Sequence, residues 1–284
     1  MNSKYFVRLL GIFALSFILM ACGKETAPVS SESSSSESSV VEETSEEITS
    51  LRHGTITLVE DGFDQKVKEL QERNADVVGW ISLDGTPNAY PLLYSGDNDF
   101  YLRRNIDKEY ELYGIPYMDM ENTPKMTDQN TVLYGHMPDF GGLEQFGVLR
   151  HYLHQDYTDT APKTVTITTN YGIFTYRLFA VRKVEADAPY RFANMSEEEY
   201  AKLLKDTVDE NMIDFDYPQP VTTKERILTL STCTEEGDDA YRLAFVGVLD
   251  KAELTPEAFE EAKVFYGTGA EQAPEDSASS AVSQ

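Results

Sequence analysis

The chain has 284 residues, 41% of them hydrophobic, and a formal charge of -25. That length and apolar content support a buried core in one or two domains, while the lack of clustered Lys and Arg excludes nucleic acid as a partner. Two cysteines and four histidines are too few for a disulfide framework or a four-cysteine zinc site.

The N-terminus reads as an address. Lys4 and Arg8 precede an apolar run of 12 residues, Leu9 to Met20. The run suits a signal peptide core and falls short of the roughly 20 residues a membrane span needs. Leu19-Met20-Ala21-Cys22-Gly23 resembles a bacterial lipobox. That motif implies cleavage behind Ala21, removing 1–21, and lipid on the Cys22 thiol. More than one acyl chain suffices for stable anchoring. The expected location is the extracellular face of the cell membrane; an uncleaved signal anchor is the alternative. Residues 22–53 then form a tether. From Ser30 to Ser50 there are ten serines, six glutamates and no aromatic residue, too little apolar surface to offset ordering entropy.

The folded region is expected over 54–266. Phe63, Val67, Leu70, Asn74 and Val77 recur at helical spacing, which predicts an amphipathic helix over about 62–76. Strands follow at 78–83 and 89–94, with a turn at Asp84-Gly85-Thr86-Pro87 between them. Gly96 to Asp99 is an acidic loop without the later Glu of a calcium site. Further strands are expected at 114–118, 131–134, 165–168 and 173–184. His136 ends the strand Thr131 to Tyr134 and opens a loop, where a rigid strand commonly presents a functional group. His151 and His154 lie in a polar, helical stretch with no Cys partner and no HExxH context, so no metal is expected. Ser196 with Glu199 forms a capping box, followed by an apolar stripe of Tyr200, Leu203, Leu204, Val208 and Met212.

Arg226 to Leu249 reads as strand, polar turn, strand. By strand parity Leu228 and Leu230 share one face and Thr229, Ser231 and Cys233 the other. Arg242 lies opposite the apolar Leu243, Phe245 and Leu249. A thiol and a guanidinium at adjacent strand ends suggest a nucleophile with a partner for negative charge, although a lone cysteine is often just a buried residue. An imidazole is the usual activator of a thiol, and His136 is the best placed of the four histidines. Eight strands spaced by turns favour a barrel or a sandwich. Thr255-Pro256 opens a last helix, giving 251–266, and 267–284 is a Ser-, Ala- and Glu-rich tail.

Thr229-Leu230-Ser231-Thr232-Cys233 with Arg242 nine residues on, and Tyr134-Gly135-His136, resemble the signature motifs of the sortase family. Asp76 to Ile81, Asn98 to Leu102, Gly114 to Asp119 and the helix after Ser196 are similar to stretches of its class B. The likeness covers about 62–249. It implies a mainly β fold, a closed eight-stranded barrel with an N-terminal helix and a helix between strands six and seven, over a catalytic domain at 54–250. It implies a cysteine transpeptidase without cofactor. Cys233 would attack a threonine carbonyl in the sorting signal of an exported protein, His136 would shuttle the proton, and Arg242 would stabilise the oxyanion or hold the substrate backbone. Ser231, Thr232, Tyr200 and Leu204 are the expected substrate-binding residues. The thioacyl enzyme would be resolved by an amine of peptidoglycan or of a pilin. A cysteine peptidase releasing the acyl group to water uses the same residues; a non-enzymatic binding lipoprotein is the second alternative. The lipid address departs from the uncleaved helix usual in sortases.

Overall fold

The computed structural model describes residues 55–218, 220–234 and 238–266, with side chains to 262. The signal peptide, Cys22, the tether, His53 and the tail from 267 lie outside the described residues.

Nine strands form one sheet: β1 (Thr55–Leu58), β2 (Val77–Leu83), β3 (Ala89–Leu93), β4 (Tyr117–Met118), β5 (Asn130–Tyr134), β6 (Thr164–Thr169), β7 (Gly172–Glu185), β8 (Ile227–Cys233) and β9 (Tyr241–Leu254). The order is β1-β9-β7-β6-β2-β3-β4-β5-β8, and β8 pairs back onto β9. That last pairing closes β2 to β9 into an eight-stranded barrel. β9 is long enough to carry two neighbours on one edge: its start pairs β8 from Arg242 to Val248, and its end pairs β1 from Lys251 to Leu254. β1 was not anticipated. Four residues at the margin of a Ser- and Glu-rich segment carry little pattern, and pairing with the end of β9 makes them a strand. Nor was the second half of β9, which runs to Leu254 rather than stopping at Leu249.

The apolar faces meet inside the barrel, where Ile81, Leu92, Leu133, Ile167, Tyr176, Leu228, Leu230 and Phe245 are almost wholly buried. β4 is shorter than the predicted strand from 114. Gly114 has φ 54, and Pro116 has no N–H to give a ladder, so pairing begins only at Tyr117.

Helix α1 (Gln65–Arg73) packs Val67 and Leu70 against Val77, Leu93 and Tyr101. Asn74 ends it, its amide donating to the Tyr101 hydroxyl and the Ile106 carbonyl at 2.8 Å each. His151 lies in a 3-10 run, Gln145–Leu153, and His154 joins it to α2 (Gln155–Thr160). Helix α3 (Glu197–Asp209) carries the predicted capping box, with Ser196 Oγ accepting from the Glu199 N–H. Its Tyr200 and Leu204 pack on Phe179, Ile227 and Val248 of the barrel's outer wall, while Val208 and Met212 are half exposed and fall off the stripe. Helix α4 (Pro256–Tyr266) lays Phe259 and Ala262 on Phe174, Ala252 and Leu254, and Lys125 pairs with its Glu261 at 2.6 Å. The C-terminal helix therefore closes one end of the core.

Candidate active site

Three strand ends meet at one rim of the barrel. β5 and β8 run parallel, with Tyr134 beside Ser231, and the Gly135 N–H continues the ladder to the Ser231 carbonyl at 3.3 Å. His136 thus leaves β5 level with the end of β8, where Cys233 sits. β8 and β9 are antiparallel with Cys233 directly across from Arg242. Residues 97, 106 and 9 apart in sequence (233 − 136, 242 − 136, 242 − 233) are brought together by register alone.

Cys233 Sγ lies 4.0 Å from His136 Nδ1, a long contact of the kind that tightens when substrate is bound. His136 Nε2 is 3.1 Å from the Leu102 carbonyl oxygen. A carbonyl only accepts, so Nε2 holds the hydrogen, and in the neutral ring Nδ1 turns its lone pair to the thiol. Burial is the main force that depresses the His136 pKa, helped by the positive charge of Arg103; the Leu102 bond opposes them. The resting imidazole is accordingly neutral near pH 7. Gly135 packs so closely on Phe146 that a Cβ would come within 2.7 Å of the ring, which explains a glycine before the histidine. The Arg242 guanidinium is held by its own turn: Nη1 donates to the Asp239 and Tyr241 carbonyls at 2.9 and 2.7 Å.

These groups line an open cleft of about 460 Å³. Leu102, Arg103, Tyr117 and Tyr134 contribute to its walls with Tyr190, Arg191, Ser231 and Thr232. One wall is braced by Asp119, buried, whose carboxylate accepts from the Tyr134 hydroxyl at 2.6 Å and the Asn98 amide at 2.9 Å. Burial first, and this carboxylate next, push the Tyr134 pKa up, so the phenol stays a neutral donor.

The predicted site residues separate here. Cys233, His136 and Arg242 meet at the cleft. Ser231 and Thr232 line it but are buried. The Ser231 hydroxyl is engaged with the Tyr190 hydroxyl at 2.9 Å, and Thr229 donates to Asn130 at 2.8 Å, so these two hydroxyls of β8 are already paired within the protein. Tyr200 and Leu204 do not line the cleft and are corrected to packing residues: the Tyr200 hydroxyl donates to the Gln129 and Glu225 carbonyls at 3.0 and 2.9 Å beneath α3. Sequence proximity of α3 to β8 misled, because the helix covers the outer wall, not the rim. Leu102, Arg103, Arg191 and Tyr190 were missed as members of the site. Leu102 acts through a backbone oxygen, which no side-chain motif reveals.

A sortase domain model matches residues 95–250. The chain belongs to the sortase family. Sortase B of Staphylococcus aureus is 34% identical over 175 residues, 61% of this chain and 68% of that protein. Sortase B of Listeria monocytogenes is 34% identical over 179 residues, 61% and 69%. Among solved structures, an S. aureus sortase B–substrate complex superposes with a TM-score of 0.60 at 30% identity, covering 66% of this chain and 86% of that one. The sortase B of Clostridium perfringens does so at 0.58 and 29%, covering 64% and 98%. The chain is a class B sortase, a cysteine transpeptidase. Sortases of this class act on sorting-signal substrates and amine acceptors at the cell surface.

Proposed function

We propose that Cys233, His136 and Arg242 carry the transpeptidation. Cys233 Sγ adds to a threonine carbonyl of the sorting signal, giving up its proton to His136 Nδ1. The carbonyl oxygen takes negative charge beside Arg242, whose guanidinium stabilises it or holds the substrate backbone. His136 returns the proton to the leaving amine as the C–N bond breaks, leaving a thioester. An acceptor amine of peptidoglycan or of a pilin then adds to the thioester, losing its proton to His136; as the C–S bond breaks the departing sulfur takes that proton back, restoring the Cys233 thiol and the neutral imidazole. The carrying observation is the Sγ–Nδ1 pair, with the ring hydrogen fixed on the far nitrogen by Leu102. Charge stabilisation of this kind is worth about 3–4 kcal/mol, and the proton transfers about 10²–10⁴-fold. Ser231 and Thr232 form the floor under the scissile bond.

The test is product analysis by mass spectrometry. A library of peptides with a central threonine is incubated with the enzyme, with and without triglycine. Peptide cleaved after threonine and joined to triglycine supports transpeptidation; hydrolysis alone, at a rate insensitive to triglycine, supports the peptidase reading. Cys233→Ala is expected to abolish both.

We also infer that the domain is anchored by lipid on Cys22. Leu19 to Gly23, with the apolar run of only 12 residues before Ala21, supports this. Incorporation of an alkyne-tagged fatty acid that disappears in Cys22→Ala is expected; an unmodified Cys22 in membrane-extracted protein contradicts it.

A further inference from the structure

Gln145 is a buried amide that bonds the main chain of His136 itself, and each end of its side chain is used. It is 6% exposed, sits at φ 50, and does not line the cleft. Its Oε1 accepts from the His136 backbone N–H at 3.1 Å. Its Nε2 donates to the Tyr113 carbonyl at 2.6 Å and the Gly114 carbonyl at 2.9 Å. Its own backbone is fixed as well: the N–H donates to the Tyr90 hydroxyl at 2.8 Å, and the carbonyl accepts from the Asn88 amide at 2.8 Å.

The loop it grips meets His136 once directly and once through Leu102. The Tyr113 ring lies against the imidazole, with centroids 5.9 Å apart. Gly114 presses on the backbone that presents the Leu102 carbonyl, so closely that a Cβ would stand 2.6 Å from that oxygen. The circuit therefore closes: His136 N–H to Gln145, Gln145 to Tyr113 and Gly114, Gly114 to Leu102, Leu102 to His136 Nε2. It holds the histidine at its main chain and at its far ring nitrogen. Only a primary amide offers one acceptor and two donors at that reach; a carboxylate lacks the donors and a thioether lacks both.

We propose that Gln145 is a positioning residue that fixes the tautomer and the aim of His136. The inference rests on the reading of His136 as proton carrier. An amide one methylene shorter cannot span from the His136 N–H to both carbonyls, and Asn is more at home than Gln at positive φ. Gln145→Asn is thus a variant that keeps the backbone while opening the circuit; Gln145→Met, of equal length, removes the bonds without shortening the chain.

The closing experiment reads the ring directly. Long-range 1H–15N spectra of Cys233→Ala protein without substrate, with the His136 signal assigned by its loss in His136→Ala, should show the Nε2–H tautomer above the histidine pKa. Adding Gln145→Asn or Gln145→Met should give a tautomer mixture. In the Cys233 enzyme, either variant should lower kcat about 10- to 100-fold on the library peptide that the wild type turns over fastest, the scale of an ångström of misplacement, with KM within about twofold because Gln145 is off the cleft wall. An Nδ1–H tautomer in the parent protein, or an unchanged tautomer and kcat in a folded variant, overturns the proposal. The spectra need no turnover, so a failed transpeptidation assay does not imitate either result.

Discussion

At the rim, chemistry depends on the charges that line the same cleft as an imidazole. Arg103 and Arg242 both lower the His136 pKa from its ordinary 6.5, after burial. In Cys233→Ala protein, without the neighbouring thiol, His136 should titrate below 6.5 by NMR. Arg103→Gln should raise its pKa, since a repelling charge is lost. The same shift has a sign for stability. The folded pKa lies below the unfolded one, so the unfolded chain binds more protons between them, and the His136 contribution is whole above pH 6.5 and declines as pH falls toward the folded pKa. For Arg242, turnover lost in Arg242→Ala should return only in part in Arg242→Lys. An ammonium cannot satisfy the Asp239 and Tyr241 carbonyls and still present a planar fork to substrate. Wild-type kcat/KM in Arg242→Lys would reduce Arg242 to a plain positive charge.

At the scale of elements, α3 and α4 make opposite statements about how far sequence can be read. The capping box of α3 was plain from Ser196 and Glu199, because it is local chemistry. Which face of the barrel α3 covers was not, because that depends on where the chain from β7 to β8 crosses the outer wall. Tyr200→Phe is therefore expected to lose about 1–3 kcal/mol in urea unfolding, from two carbonyls left without the hydroxyl, with KM unchanged. A raised KM in the folded variant would return α3 to the substrate wall. The last helix was legible from Thr255-Pro256, but its role was not, since only the barrel shows that Phe259 covers the core's end. Phe259→Ala should cost about 3–5 kcal/mol, measured by the same unfolding. The strands of the barrel were legible through alternation and β-rich runs. The two-residue β4 and the β1 strand were not, because tertiary pairing rather than local pattern makes them. The proposed catalytic trio was visible as side chains at strand ends; the Leu102 carbonyl is itself a backbone group and the Gln145 side chain bonds only backbone groups of loops folded against the histidine, so no side-chain motif marks either.

For the whole molecule, the proposed lipid address and the proposed chemistry lie in separate stretches of the sequence. The Ser- and Glu-rich residues up to Ser50 offer nothing to pack, so removing 1–50 should leave the melting temperature and in vitro turnover unchanged. A clear fall in melting temperature would show that this segment docks on the barrel. The barrel itself exists, on this reading, to hold a thiol, an imidazole and a guanidinium at one rim by the register of β5, β8 and β9. The most direct measurement of that arrangement is intact-protein mass spectrometry after mixing enzyme with the best library peptide in the absence of an acceptor. An adduct equal to the acyl fragment ending in threonine, localised to Cys233 by peptide mapping, discharged by triglycine, and absent in Cys233→Ala, is the expected result. Turnover without any adduct in Cys233→Ala, or an adduct on a different residue, would contradict it.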